Sequence, residues 1–449
     1  MPECSQFYAR RDLRTVEYVG VQPVDARPVH VAIDDKAAAT PAGQLALLAL
    51  ANQLARVHRR ITFALSSPSI PLSVGNPFSA GTLGETLLST VTRIDPCGEF
   101  QIGSPPSGKI ISIALGDEIG GGFDWYIGAD RAIAWLSKSP VGFSAAPSTL
   151  LGAALGSCLG AAAVFRTVLG LESAPRSVSS WNYAEQADAM AGPETLEPLD
   201  VGRVLMVGAG AVAAALVYWL SAFGVGGDWT IIDRDVVELH NTNRGMIFTA
   251  ADAGWPNGVP QRKAELLAAF IPGSRWAEEW YHESKIAEED YDVVLGLAND
   301  HEVRHWIASR NNTVTLHATT GVNWLSQLHR HIIGLDDCIW CRAGDALTPV
   351  FQCSVGDVQL PSGTRTDAAL PFLSAASGLM LATALLRLQR AELAVLGRND
   401  WRWDFGSTYK MVSSSFRMCR EGCSRVVEAE VRQQINCNGR WRALDNKSL

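Results

Sequence analysis

Nowhere in its 449 residues does the chain carry a block of lysines and arginines; charged residues make up 19% and the formal net charge is −8. Nucleic acid is held chiefly by clustered cations that displace its counterions, so it is not an expected partner. Signals for export or membrane insertion are also lacking. The N-terminal MPECSQFYARRDLR has no apolar core behind its charges, which speaks against a secretory leader. The most apolar long run, Leu150 to Leu171, is mostly Ala and Gly and contains Arg166, a composition that suits a buried packing helix and not a membrane span. The nine cysteines are odd in number and crowd toward one end, so a disulfide framework is not expected, and reduced thiols with metal ligation are. A cytoplasmic location is the expectation. With 47% hydrophobic residues the chain has no disorder signature, and its length suits two or three domains.

What the chain does have is centred on Arg203 to Gly245, RVLMVGAGAVAAALVYWLSAFGVGGDWTIIDRDVVELHNTNRG. A β-rich run from Val204 to Val207 breaks at Gly208-Ala209-Gly210, continues as an Ala/Leu-rich helix that stops at Gly224, and resumes as a strand ending at Asp233. In such a β-α-β unit, Gly208 and Gly210 let the backbone approach a phosphate held by the free amides and positive end of the helix. Asp233 stands where a carboxylate binds a ribose hydroxyl, so the segment predicts a nucleotide site. Asp235, Asn241, Asn243, Arg244, Lys263 and Asp300 follow. A dehydrogenase needs little beyond the ribose carboxylate, whereas Asn, Arg and Lys facing a nucleotide suit the splitting of a triphosphate. Cations neutralise the charge building on phosphoryl oxygens, and Asp300 can hold a magnesium ion through a carboxylate oxygen, which together suggest adenylation.

On these residues, from Gly208 through Asp300, the chain resembles the ThiF/MoeB family, the adenylating fold shared with ubiquitin-activating enzymes. The third small residue of the loop is Ala213, and His240 stands where family members often carry Ser. The resemblance implies an α/β, Rossmann-like doubly wound domain that binds ATP and magnesium and activates the C-terminal glycine of a small protein as an acyl-adenylate. It assigns Gly208 and Gly210 to phosphate, Asp233 to ribose, Asn241 and Arg244 to the phosphates, Lys263 to the triphosphate and Asp300 to the metal, with Asp235 beside them.

The first part of the chain is α/β as well. Val29 to Ile33 predicts a strand, Gly43 to His58 an amphipathic helix with Leu45, Leu48, Ala49 and Leu54 on its apolar side, and Ile61 to Leu65 a further strand. AALGSCLGAAAVFRTVL (Ala153 to Leu169) echoes SAASGLMLATALLRL (Ser374 to Leu388), as two copies of one ancestral domain would. The first copy would be inactive, because DDKAAATPAG after the first strand has no paired glycines. The expected organisation is a degenerate adenylation-like α/β domain at 1–170, a linker at 171–199 rich in Ser, Pro, Glu and Ala, and an active domain at 200–449. An inactive copy followed by an active one resembles the build of ubiquitin-activating enzymes.

Cys338 and Cys341 form a CxxC, and Cys419 and Cys423 a CxxxC about eighty residues on. Such knuckles can offer zinc four thiolates if the fold unites them, and relatives carry two CxxC pairs in corresponding regions; ordinary reduced cysteines are the alternative. Cys353 lies apart, in a Gly/Pro/Ser-rich stretch that predicts an exposed loop. In ubiquitin-activating relatives a loop cysteine takes the activated protein as a thioester, and a thiolate can attack an acyl-adenylate without a strong base, so Cys353 is a candidate nucleophile with Ser354 as fallback. Tyr8-Ala9-Arg10-Arg11 resembles a family start whose arginine reaches a partner domain's ATP site, which makes Arg10 or Arg11 a candidate against a plain solvated N-terminus. A homodimer is among the states the resemblance allows.

The resulting expectation is an ATP-, Mg2+- and Zn2+-using activating enzyme for a ubiquitin-like protein ending in glycine, handing its cargo to a conjugating enzyme. A MoeB/ThiF-type activator of a sulfur carrier, or a relative that adenylates a small peptide, is the alternative within the class. An NAD-binding oxidoreductase or a non-catalytic nucleotide-binding scaffold is the alternative outside it.

Overall fold

The computed structural model describes residues 2–12, 27–144, 149–310, 312–321, 324–332, 336–343, 358–359, 365–366, 370–390 and 397–423. Their strands form a seven-stranded sheet, an eight-stranded sheet and a two-stranded ribbon. The first sheet holds β1 (Val29–Ile33), β2 (Arg60–Ala64), β3 (Glu99–Ile102), β4 (Ile111–Leu115), β5 (Trp125–Asp130), β6 (Ile133–Ser137) and β7 (Arg176–Ser179), in the order β3-β2-β1-β4-β5-β6-β7. The second holds β8 (Arg203–Val207), β9 (Asp228–Ile232), β10 (Arg275–Ala277), β11 (Val293–Gly296), β12 (Val314–Gly321) and β13 (Leu325–Ile332). The ribbon is β14 (Val358–Gln359) with β15 (Arg365–Thr366), and β16 (Asp400–Asp404) and β17 (Val412–Ser415) complete the second sheet, ordered β10-β9-β8-β11-β12-β13-β16-β17.

The two sheets repeat one plan. In each, the first strand is central, the second and third lie to one side, the fourth and fifth to the other, and all five run parallel before antiparallel strands close that edge. Two copies of one architecture would leave this repeat. The fold is α/β, with the order reversing on either side of β1 and of β8.

The helices are α1 (Pro2–Arg11), α2 (Asp35–Ala38), α3 (Pro41–Ala55), α4 (Leu83–Ile94), α5 (Leu151–Val168), α6 (Ala211–Phe223), α7 (Lys263–Ala268), α8 (His301–Ser309), α9 (Ile339–Ala343) and α10 (Pro371–Gln389). The two small-residue helices that echo each other, α5 and α10, pack against one another, and α10 also lies along α6. Both are long and apolar enough to cross a membrane, yet 89% and 100% of their apolar windows are buried inside the protein. Small side chains explain this placement: Gly378 sits where an added Cβ would come 2.7 Å from the backbone of Leu216 in α6. The fused core therefore runs through both sheets.

Three expectations are corrected. Helix α3, expected to be amphipathic, is buried on every face from Ala42 to Ala55, since α4 and α5 pack on it and its C-terminal end meets the second half. The stretch 171–199 is not simply a linker, because Arg176–Ser179 enters the first sheet as edge strand β7 against β6. Cys4 and Cys97, expected as reduced thiols, are joined in a disulfide where α1 lies beside the turn after α4, with Cα atoms 5.5 Å apart. That spacing is within the range a disulfide requires, and nothing in the linear spacing of 93 residues announced it.

Candidate active site

In the second sheet β8 is flanked by β9 on one side and β11 on the other, so the carboxyl end of β8 lies beside the point where the strand order reverses, the usual ligand crevice of a doubly wound sheet. Gly208 leaves β8 with φ of +97°, which an L side chain rarely adopts, and a Cβ there would lie 2.7 Å from the Ala298 amide after β11. Gly210 is the N-cap of α6 and offers no side chain to the helix's first amides; a Cβ added to it would meet nothing within 4 Å. Open space thus lies at the positive end of a 13-residue helix whose first amides no N-cap side chain satisfies, a setting that favours an anion.

Asp233, just past β9, accepts from the Ala209 amide at 2.6 Å and from the Asp235 amide at 2.7 Å, and so ties the glycine loop to the next turn. Burial raises its carboxyl above the usual range, against the lowering effect of Lys263 and the two amides. Lys263, the first residue of α7, donates from Nζ to Asp235 Oδ2 at 2.9 Å, while its own amide donates to the Asp235 carbonyl at 2.9 Å. Gly208, Gly210, Asp233, Asp235 and Lys263 are thereby brought together. Asp300 stands at the end of the neighbouring β11 segment, exposed, as N-cap of α8, accepting from the Glu302 amide at 2.7 Å. It is two residues from the Ala298 backbone that abuts Gly208.

Asn241 and Arg244 lie on the turn that continues from Asp235, and both are buried. Asn241 Oδ1 accepts from the Glu238 amide at 2.9 Å, and Arg244 Nη1 donates to the His240 carbonyl at 3.0 Å and to Asn243 Oδ1 at 3.1 Å. The first half supports this turn through Arg56 at the end of α3. Fully buried, its guanidinium donates to the carbonyls of Phe248 (2.9 Å), Met246 (2.8 Å) and Thr242, with Nε on Asn52 Oδ1 at 2.9 Å. Arg56 escaped the sequence analysis, because nothing local distinguishes it from a surface arginine at a helix end.

The corresponding place in the first sheet is filled by the protein itself. Asp34, just after β1, turns its carboxylate onto the Ala37 amide at 2.7 Å and the Glu118 amide at 2.8 Å, and a Cβ at Gly116 would strike it at 2.0 Å. Where the second half leaves helix-start amides uncapped, the first half supplies its own anion.

The four cysteines of the two knuckles converge. Cys338 and Cys341 at α9 and Cys419 and Cys423 after β17 hold their sulfurs within 4.8 Å of one another. The Cys338 amide donates to Cys419 Sγ at 3.2 Å, the Cys341 amide to Cys338 Sγ at 3.4 Å, and Cys338 and Cys423 sulfurs are 3.9 Å apart. Burial, with the neighbouring thiols adding to it, pushes Cys338 up to about 11. Four converging thiols, with N–H donors already on the Cys338 and Cys419 sulfurs, fit a closed four-thiolate metal site.

Arg11 is not available to any ATP site: wholly buried, it donates from Nε to Asp12 and from Nη1 to Asp95, both at 2.7 Å. Arg10 is exposed, its guanidinium 5.9 Å from the ring centre of Trp255. Cys353 and Ser354 lie outside the described residues.

The family model described as ThiF family matches residues 183–415, more than half the chain and the whole of the second sheet. The chain belongs to the ThiF family. Among curated relatives of this ThiF protein, uncharacterized protein y4jF of Sinorhizobium fredii is 29% identical over 348 residues, which cover 71% of the chain and 60% of that protein. The SAMP-activating enzyme E1 of Haloferax volcanii is 40% identical over 112 residues, 25% of the chain and 36% of that enzyme. The sulfur carrier protein adenylyltransferase of Thermus thermophilus is 27% identical over 118 residues, 26% and 43%. The chain thus spans 60% or less of the length of these relatives. Among solved structures, E. coli MccB with ATP matches at 14% identity and a TM-score of 0.38 over 50% of the chain and 66% of that protein.

Proposed function

We propose that this ThiF-family protein is an ATP-dependent adenylyltransferase that activates the C-terminal carboxylate of a small protein ending in glycine. The observation that carries the proposal is the contrast between equivalent strand ends: Asp34 caps the helix after β1, while Gly208 and Gly210 leave the amides of α6 open beside Asp233, Asp235 and Lys263. In the reaction a carboxylate oxygen of the substrate attacks the α-phosphorus of ATP; the new C–O–P link forms as the bond to pyrophosphate breaks. The α6 amides would hold phosphate, Asp233 the ribose, and Lys263, released from Asp235 by a competing anion, the triphosphate. Asn241 and Arg244 would line the phosphate side. Asp300 would hold magnesium, which supplies charge neutralisation for the leaving pyrophosphate. The four-cysteine cluster would hold a structural zinc that pins α9 to the segment after β17.

Two kinds of substrate are compatible with this chemistry. Relatives named as SAMP- and NEDD8-activating enzymes, together with the additional first half, support a ubiquitin-like protein carried as a thioester on Cys353 and passed to a conjugating enzyme. The Thermus relative supports a sulfur carrier, for which adenylation alone would suffice. Exchange of labelled pyrophosphate into ATP, measured with and without candidate proteins ending in glycine, is the test. Exchange that appears only with such a protein supports the proposal, and none with any of them refutes it.

A further inference from the structure

Across β12, β13 and β16, inside the antiparallel side of the second sheet, runs a row of side chains that adenylation does not use. His317 of β12 is directly paired with His329 of β13, and His329 with Asp400 of β16; His331 lies two residues along β13, on the same face as His329. The three imidazoles are 5%, 6% and 6% exposed, and they offer ring nitrogens within 4.8 Å of one another. Among the described residues, His317 Nδ1, His329 Nδ1 and His331 Nε2 are buried without a hydrogen-bond partner, and His329 Nε2 has only the 3.5 Å approach of Asp400 Oδ1. Core histidines usually satisfy their ring nitrogens, so this concentration of orphan lone pairs asks for an occupant.

The far sides of two of the rings are already set. His331 Nδ1 lies 2.7 Å from the Asp337 carbonyl, which can only accept; Nδ1 therefore carries the proton and Nε2 is left with its lone pair inward. His329 Nε2 faces Asp400 Oδ1 at 3.5 Å, leaving Nδ1 for the cluster. Oxygen acceptors behind imidazoles are how protein metal sites choose a tautomer and raise ligand basicity. Asp400 itself is committed to Arg342 at 3.1 Å and Arg402 at 3.0 Å, so it offsets those cations without serving as a ligand. A tetrahedral zinc would need nitrogens about 3.3 Å apart, so an ion would draw together rings whose nitrogens now lie within 4.8 Å of one another.

We propose that His317, His329 and His331 form a buried binding site for a divalent zinc-type ion, separate from the four-cysteine cluster. Three imidazoles leave a fourth position for water. The site is joined to the cysteines through Asp337, whose carbonyl holds His331 and whose peptide leads into Cys338. An ion held by these three imidazoles would bind whether or not the protein adenylates a substrate.

The experiment loads the stripped full-length chain with Zn2+ or Co2+ and combines metal analysis with spectroscopy. Wild type should exceed a Cys-only stoichiometry by about one ion per chain. The double variant His317→Gln, His329→Gln should lose that one ion and keep the thiolate-to-cobalt charge-transfer band. Cys338→Ser with Cys341→Ser should lose the band and keep a nitrogen-coordinated ion. X-ray absorption on zinc-loaded wild type needs no variant and should show imidazole nitrogens in the nearest shell. An all-sulfur shell, or a histidine variant with undiminished zinc, would overturn the proposal.

Discussion

Lys263 Nζ rests on Asp235 Oδ2 at 2.9 Å, so the cation assigned to the triphosphate is held by a side chain at the mouth of the glycine loop. Asp235 is 60% exposed and Lys263 only 12%, which makes the lysine the anchored partner and the carboxylate the one that can swing into water. An exposed-to-buried pair of this kind contributes little to stability and can be exchanged for a phosphate. Lys263→Ala should therefore fold normally and lower substrate-dependent pyrophosphate exchange on the order of 100-fold or more. Asp300→Ala should do the same to exchange, and in addition lose about 1 kcal/mol as the N-cap of α8. Normal exchange in both would remove these residues from the site.

The two halves depend on each other at Arg56. Removing its guanidinium leaves three backbone carbonyls of the 242–248 turn without their buried donor. Arg56→Ala should lower the stability of the whole chain by about 3 kcal/mol or more in urea unfolding. Arg56→Lys should recover only part of it, because one ammonium cannot span the set. Stability unchanged in Arg56→Ala would mean that the first half does not brace the active turn.

His58 lies in the core with neither ring nitrogen bonded among the described residues, and burial, helped by the charge of Arg11, lowers it from 6.5 to about 3. A depressed folded value means that the unfolded chain takes up the proton first. The stability is present above pH 6.5 and is lost as pH falls from there toward 3. Each such group steepens the loss by up to about 1.4 kcal/mol per pH unit. His317, His329 and His331 act in the same direction when free of metal. The slope of unfolding free energy between pH 6 and 5 should be shallower in His58→Leu than in wild type, by about one proton. Equal slopes would show that His58 is not buried neutral.

Zinc at the cysteine cluster should be lost one ion per chain in Cys338→Ser or Cys423→Ser, with a lower thermal midpoint, since a closed site contributes its binding energy to folding. Metal analysis and thermal unfolding are the measurements. Unchanged zinc in both variants would leave these thiols without that role.

Cys353 decides between the two kinds of substrate. With ATP and a ubiquitin-like partner, wild type should form an adduct that thiol reductants cleave, and Cys353→Ala should lose it while keeping pyrophosphate exchange. A thiol-resistant, hydroxylamine-sensitive adduct that survives in Cys353→Ala would point to Ser354 or another hydroxyl. Robust exchange without any adduct favours a sulfur carrier.

The sequence by itself determined the β8-α6-β9 unit, its glycine turn and Asp233, because these features are local: a strand period, a helix period and a positive-φ glycine between them lie within thirty residues. It also located the strand Val29–Ile33 and the similar small-residue composition of α5 and α10, both written in short-range composition. The pairing of the two cysteine knuckles could be stated only on condition that the fold united them, since about eighty residues intervene. What tertiary structure alone decided is long-range. Asp34 as an internal anion needs the amide of Glu118, 84 residues away, and Cys4 meets Cys97 only because α1 folds back. The repeat of strand order in the two sheets rests on which strands pair, which no local residue pattern states. The histidine row depends on the register of β12, β13 and β16; shifting β13 by one residue would turn His329 and His331 to the opposite face, and no local pattern states which register the hairpin takes.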